Sequence, residues 1–407
     1  MEVRLADYEP VLGPQPIEVM RRLATHLSKK RVKMVNSTAV GGGVAEILQR
    51  LVPLFNELGV KTSWEVLKGG AEFFGITKAI HNALHGAPVE LSPEVQAHFL
   101  SHTRAQADTF RFEEEFVFIH DPQPITFIEK KTKSSRWVWR CHIDISSPHP
   151  PVWDFLRPFV EKYDASIFSA PSFVQVLPIP QYQIPPSIDP LALKNREVPE
   201  REVQTYLEQV GLNPERPIIA QISRFDRLKD PLGVIAAYQL VKKRTDCQLV
   251  LAGGTADDDP EGSAVLAEIK EKASGDPDIH ILELPPFSDL EINKLQRGST
   301  VVLQKSLKEG FALTVAEALW KKKPVIASAV GGIPLQIIHN YTGLLVHSVE
   351  GAALKIKYLL THPEAARQLG ENGHQHIKQN FLITRHLRDY LAVLFSLSYP
   401  GKDVIRL

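Results

Sequence analysis

Beyond residue 216 the sequence alternates short, apolar, β-branched runs with longer helix-forming segments, six times over. The runs fall at 217–222, 248–252, 279–282, 300–303, 324–327 and 343–346, and the helical segments at 231–243, 263–272, 289–297, 312–320, 333–338 and 350–360. Runs that stay apolar on both faces read as strands covered from both sides, and a strand reached through a helix lies parallel to its predecessor. This half is therefore expected to be a doubly wound α/β unit.

A looser alternation precedes it. Strands are expected at 32–37, 60–66, 116–120, 137–144 and 165–168, with helices at 17–27 and 44–58. At 407 residues the chain exceeds one ordinary core, so two domains are expected. Five prolines between 178 and 190 should stiffen an extended linker and break helix and strand alike. The expected domains are 1–184 and 185–380. Two further helices, 363–379 and 384–397, follow, and 381–407 is expected to return to the first domain.

Charge narrows the function. Lys plus Arg and Asp plus Glu are 47 each, so no net basic field points to nucleic acid or an acidic membrane surface. No apolar run is long enough to span a bilayer, and the N-terminus lacks a secretory pattern. Two cysteines, Cys141 and Cys247, argue for a reducing compartment, and a cytoplasmic location is expected.

The segment Gln304 to Leu319 carries the strongest chemical signal. A buried strand runs through a polar, glycine-containing turn into a helix, with Glu309 in the turn and Glu317 inside the helix, seven residues between them. Unpaired N–H groups of Phe311, Ala312, Leu313 and Thr314 at such a helix start suit a phosphate or a sugar hydroxyl. Glu309 and Glu317 can accept from sugar and ribose hydroxyls; each alone also reads as an ordinary loop or first-turn charge. Arg224 and Lys229, in Ser223 to Asp230 after the strand 217–222, can neutralise a diphosphate, or can be a solvated loop balanced by Asp226 and Asp230.

Other motifs are less specific. Gly41-Gly42-Gly43 sits between a strand and a helix, as a phosphate-approaching turn or as a tight turn with positive φ. No ribose-binding acid stands where a nicotinamide enzyme would need it. His120 ends a strand, where it reads as a crevice residue or a satisfied structural one. If 137–144 is one strand, Arg140, His142 and Asp144 share a face, as a sugar-binding set or a local hydrogen-bonded cluster. The histidines lack zinc spacing. Asp257-Asp258-Asp259 offers carboxylates for Mg²⁺ but reads better as a solvated loop.

Arg224 with Lys229, and Glu309-Gly310-Phe311 with Glu317, resemble the retaining GT-B glycosyltransferases related to glycogen and sucrose-phosphate synthases. Val117 to Pro124, Trp139 to Asp144, Val302 to Ser306 and Val330 to Pro334 narrow the resemblance to the trehalose glycosyltransferring synthases, similar in turn to the trehalose phosphorylases. The resemblance implies a GT-B fold, two Rossmann-like doubly wound domains facing across a cleft, closing about the Pro-rich hinge. It implies Arg224 and Lys229 on the diphosphate, Glu317 on the ribose and Glu309 on the donor glucose. The backbone of Gly310, Phe311, Ala312, Leu313 and Thr314 would cradle the sugar and distal phosphate. His120 would lie over the donor glucose, Gly42 and Gly43 would close on phosphate and acceptor, and Arg140, His142 and Asp144 would meet the acceptor. Ala312 departs from the family pattern, where a second glycine is common.

The implied reaction moves glucose from NDP-glucose (ADP-, UDP- or GDP-glucose) to glucose, giving α,α-trehalose with retention. The implied enzyme has no tightly bound cofactor or resident metal, with Mg²⁺ compatible alongside the nucleotide, and a homodimer is compatible too. A trehalose phosphorylase, a nucleotide-sugar 2-epimerase and a non-catalytic nucleotide-sugar sensor are the alternatives.

Overall fold

The computed structural model describes residues 3–39, 42–254 and 260–399. The chain divides into two units: Met1–Ser187 with Ile383–Leu407, and Ile188–Leu382.

The first unit holds a six-stranded sheet in the order β2-β1-β3-β4-β5-β6. Its strands are β1 (Arg31–Asn36), β2 (Lys61–Val66), β3 (Phe116–His120), β4 (Arg136–Arg140), β5 (Ala165–Phe168) and β6 (Gln181–Gln183). Every pairing is parallel. Two expectations change here. The strand expected over 137–144 ends at Arg140: the Cys141 N–H still donates to the Ile167 carbonyl of β5 at 3.0 Å, but the His142 N–H leaves the ladder and donates to the Asp121 carboxylate at 2.7 Å. The Pro-rich stretch is not wholly linker, since Gln181–Gln183 adds an edge strand to β5. Proline cannot donate to a ladder, but these three residues lie between Pro180 and Pro185 and are themselves free of it.

The helix Ile383–Ser398 belongs to this first unit and packs on the helices Pro14–His26 and Gly43–Glu57. Its Tyr390 ring stacks on Phe118 of β3, with centroids 5.2 Å apart. Arg385 donates to the carbonyls of Pro185 and Pro186 at 2.7 and 3.1 Å.

The second unit repeats the plan with its sheet ordered β12-β11-β10-β7-β8-β9, again all parallel. The strands are β7 (Ile218–Ile222), β8 (Gln248–Gly253), β9 (Ile279–Glu283), β10 (Val301–Gln304), β11 (Val325–Ser328) and β12 (Leu344–Val346). Successive residues of β7 serve opposite faces. Ile219 joins a core with Val234, Tyr238 and Ile356, while Ile218 and Ala220 join another with Val203, Leu207 and Leu295. A sheet covered on both faces needs strands apolar throughout, which is the pattern in the sequence. The helix expected at 333–338 is one turn only, Ile333–Gln336. Asp257, Asp258 and Asp259 lie outside the described residues, as does Gly41.

In each sheet the chain winds outward in both directions from a central pair, β1 and β3 in one and β7 and β10 in the other. Loops leaving the carboxyl ends of such a pair part to opposite sides and leave a crevice where ligands bind. The loops after β7 and β10 are 223–230 and 305–312; those after β1 and β3 begin at Ser37 and Asp121.

Candidate functional site

In the second unit the two switch-point loops are stitched together. The Leu307 N–H donates to the Leu228 carbonyl at 2.7 Å, and buried Gln221 of β7 donates its amide to the Lys229 carbonyl at 2.7 Å. Asp226 caps the short turn Arg227–Lys229 through the Leu228 N–H. Lys305, the first residue beyond β10, pairs with Asp230, which also caps the helix Pro231–Lys242.

This frame brings Lys229 Nζ to 2.5 Å from Glu309 Oε1. Gln304 Nε2 and Ser306 Oγ donate to the same oxygen at 3.2 and 3.0 Å. Glu309 is thus a buried carboxylate held by one cation and two neutral donors, and among the described residues Oε2 has no hydrogen bond. Arg224 is half-exposed, 3.8 Å from Asp226. A guanidinium that is not buried and a carboxylate with one unused oxygen are groups still able to take a polar ligand.

The turn after Glu309 is set by contact with the next loop. A Cβ on Gly331 would sit 1.7 Å from the Glu309 carbonyl oxygen, and Gly331 has φ +56. The Gly332 N–H donates to the Gly310 carbonyl at 3.1 Å. Phe311 faces inward, 5.5 Å from the Phe381 ring, and the buried Gln336 amide bonds its carbonyl. The helix runs Leu313–Trp320, one residue later than expected, with Ala312 as its N-cap at φ 66. Among the described residues the N–H groups of Phe311, Ala312, Leu313 and Thr314 have no hydrogen-bond partner. Thr314 Oγ1 donates to the Ile222 carbonyl at 3.1 Å, tying the helix start to the end of β7. Glu317 is buried, accepting from Gln296 at 2.9 Å.

In the first unit His120 and His142 meet. His120 Nδ1 lies 3.0 Å from His142 Nε2, and the rings stack at 5.3 Å and 13°. The Asp121 backbone turns through φ 63, its carbonyl accepts from Trp139 Nε1, and its carboxylate takes the His142 N–H. Burial pushes the Asp121 carboxyl up to about 7. Burial, aided by Arg140, pushes His120 down to about 3 and His142 well below the usual imidazole range. Both rings are therefore neutral near pH 7, when each has one donor and one acceptor nitrogen. His120 Nε2 is buried and has no partner among the described residues.

The other expected residues of this unit diverge. Arg140 is fully buried and donates to the Ile184 carbonyl at 2.7 Å and to Ser169 Oγ at 3.3 Å, with the Tyr390 phenol beside it. Asp144 accepts from the Ser146 N–H at 3.0 Å, closing its own turn. Arg140, His142 and Asp144 thus have separate partners, because β4 stops before the alternation could align them. Gly42 is the N-cap of the helix Gly43–Glu57 with φ −147, and neither Gly42 nor Gly43 has positive φ.

Four supporting side chains went unread in the sequence: Asp121, Gln296, Gln336 and His386. Asp121 stood next to a candidate histidine, and that was its only signal. The others are polar residues inside helices, and nothing in their spacing separates them from solvated ones. His386 is buried and its Nδ1 lies 2.9 Å from Ser187 Oγ.

Residues 34–175 match the family model of the trehalose synthase N-terminal domain, and 202–376 match that of glycosyl transferases group 1. The trehalose synthase of Thermococcus litoralis is 45% identical, over 97% of this chain and 97% of its own. Among solved structures, sucrose-phosphate synthase from Thermosynechococcus elongatus superposes with a TM-score of 0.69 at 19% identity, covering 91% of this chain and 100% of that one. The E. coli trehalose-6-phosphate structure bound with UDP-2-fluoro glucose gives 0.72 at 14%, covering 92% and 100%. Two parallel doubly wound sheets, a motif-bearing switch point in each and relatives of this identity and coverage lead to one conclusion: the chain belongs to the trehalose synthase family of GT-B glycosyltransferases.

Proposed function

We propose that this hexosyltransferase moves glucose from a nucleoside diphosphate glucose to the anomeric hydroxyl of a second glucose, forming α,α-trehalose with retention. The observation that carries the reading is the Lys229–Glu309 contact at the β7/β10 switch point, with Arg224 on the same loop as Lys229. Arg224 and Lys229 would take the diphosphate, whose charge grows as the C1–O bond to phosphate breaks. Glu309 would accept from donor hydroxyls through Oε2, and Glu317 from the ribose. The free N–H groups from Phe311 to Thr314 would meet the sugar and the distal phosphate, where the helix dipole favours an anion. His120 would meet a sugar hydroxyl through Nε2, and His142 and Asp144 are proposed for the acceptor. Any magnesium would come with the nucleotide.

In this scheme the acceptor oxygen bonds C1 on the face the diphosphate leaves, and a phosphate oxygen takes the acceptor's proton. Positioning and charge stabilisation supply most of the rate. The bound UDP-2-fluoro glucose of the E. coli structure supports a nucleotide-sugar donor, and the T. litoralis relative supports the product.

The test is a panel of ADP-, UDP- and GDP-glucose, each with glucose, the product linkage read by NMR. Expected is an α,α-1,1 disaccharide with one nucleoside diphosphate released per transfer. No disaccharide from any donor overturns the reading, as does trehalose cleavage that needs only inorganic phosphate.

A further inference from the structure

Glu317 does not hold its own position. Its Oε2 is taken by Gln296 Nε2 at 2.9 Å, and both side chains are buried. The Gln296 amide orientation is set by charge: its oxygen, Oε1, is buried without a partner among the described residues, and turning it over would put oxygen against carboxylate. On the other side, Lys194 Nζ lies 3.9 Å from Glu317 Oε1 and 3.5 Å from Asp289. Its cation is shared between two acids, so Oε1 is drawn toward it without a short bond.

Lys194 is carried by a segment that is firmly tied. Buried Asn195 donates to the Asp189 carbonyl at 2.9 Å. Its own carbonyl accepts from Trp320 Nε1 at 3.2 Å, and its side-chain oxygen accepts from Lys321 Nζ at 2.9 Å. Asn293 donates to the carbonyls of Leu193 and Arg196, both at 2.8 Å. Trp320 and Lys321 lie at the end of the helix that bears Glu317, so these bonds tie the Lys194 segment to that helix.

We propose that Gln296 and Lys194 are positioning residues that fix the Glu317 carboxylate for ribose recognition, with Gln296 occupying Oε2 and Lys194 orienting Oε1 toward the 2′- and 3′-hydroxyls. Neither touches the nucleotide. A buried carboxylate with one oxygen committed presents the other in one direction, whereas a free one would spread over its rotamers. The inference rests on the ribose role proposed for Glu317.

The experiment compares binding of adenosine and uridine diphosphates with that of their 2′,3′-dideoxy forms, in the full-length protein and in Gln296→Met and Lys194→Met. The unaltered protein should prefer the ribonucleotides by at least about tenfold, the scale of hydrogen bonds to a charged group. Each variant should cut that preference to within about threefold while binding the dideoxy nucleotides within about twofold of the unaltered protein. A general loss of structure would weaken both forms alike, and Lys194→Met, with no fully buried group removed, keeps the test open should Gln296→Met misfold. Full preference retained in Lys194→Met overturns the positioning role. No preference in the unaltered protein overturns the ribose role of Glu317 itself.

Discussion

Asp121 shows how one residue can be set by burial. Its neighbours are His142, whose N–H it accepts, and the Arg140, His386 and Tyr390 groups packed around the same interior. With its folded pKa raised to about 7, the folded state binds more protons than the unfolded one between about pH 4 and 7. Stability from this group is therefore complete below that window and falls as pH rises through it. His120 acts oppositely: its folded pKa of about 3 is depressed, so its contribution is present above about pH 6.5 and fades as pH falls. Substituting Asp121→Asn removes only the first effect. Relative to that variant, the unaltered protein should lose about 3 kcal/mol of stability between pH 4.5 and 8, since each pH unit of displaced pKa is worth ~1.4 kcal/mol. Urea unfolding at the two pH values measures it; equal differences at both would show that Asp121 titrates normally.

At the scale of elements, the Val330-Gly331-Gly332 turn props up the Glu309 loop. Gly331 needs to lack a side chain both for its φ of +56 and because a Cβ there would lie 1.7 Å from the Glu309 carbonyl oxygen. Gly331→Ala is expected to cost at least about 2 kcal/mol, from the left-handed backbone and the displaced loop together, and to lower transfer because Glu309 moves with it. Thermal unfolding and turnover should fall together; an unchanged midpoint would mean that the loop yields freely. Ala312, also left-handed at φ 66, carries the same kind of backbone cost at the start of the helix. The sequence revealed Gly331 and Gly332 as a motif, but not what they touch: their partner is 21 residues or more upstream and reaches them only through the β10–β11 pairing.

For the whole molecule, the last helix completes the core of the first unit. Leu387, Tyr390, Leu391 and Leu394 are all buried there. Leu391→Ala should cost ~2–5 kcal/mol, as for other buried leucines. The loss should appear in the hydrogen exchange of β1 and β3 and spare that of β7 and β8. Equal loss of protection in both units would show that they unfold as one.

Strands and helices of the second unit were legible because buried parallel strands must be apolar on both faces, and that demand is local. The turn holding Glu309 was legible too, since glycine and the helix start lie within a few residues. His120 and His142 were visible as residues but not as a pair, because their contact depends on β4 ending at Arg140 and on Asp121 capturing an N–H that the ladder would have used. Arg140 read as one of a sugar-binding set or a local hydrogen-bonded cluster; its full burial was not legible, because the returning C-terminal helix covers it with Tyr390.

By itself, then, the amino-acid sequence determined the α/β alternation, the family and the residue types of the site, all of which follow from short-range pattern. Only the tertiary structure decided the strand order. Setting β10 beside β7 and β3 beside β1 makes neighbours of loops some 80 residues apart in the chain, so that Lys229 reaches Glu309. No local propensity encodes that choice; it comes from which faces of the sheet the crossing helices must cover.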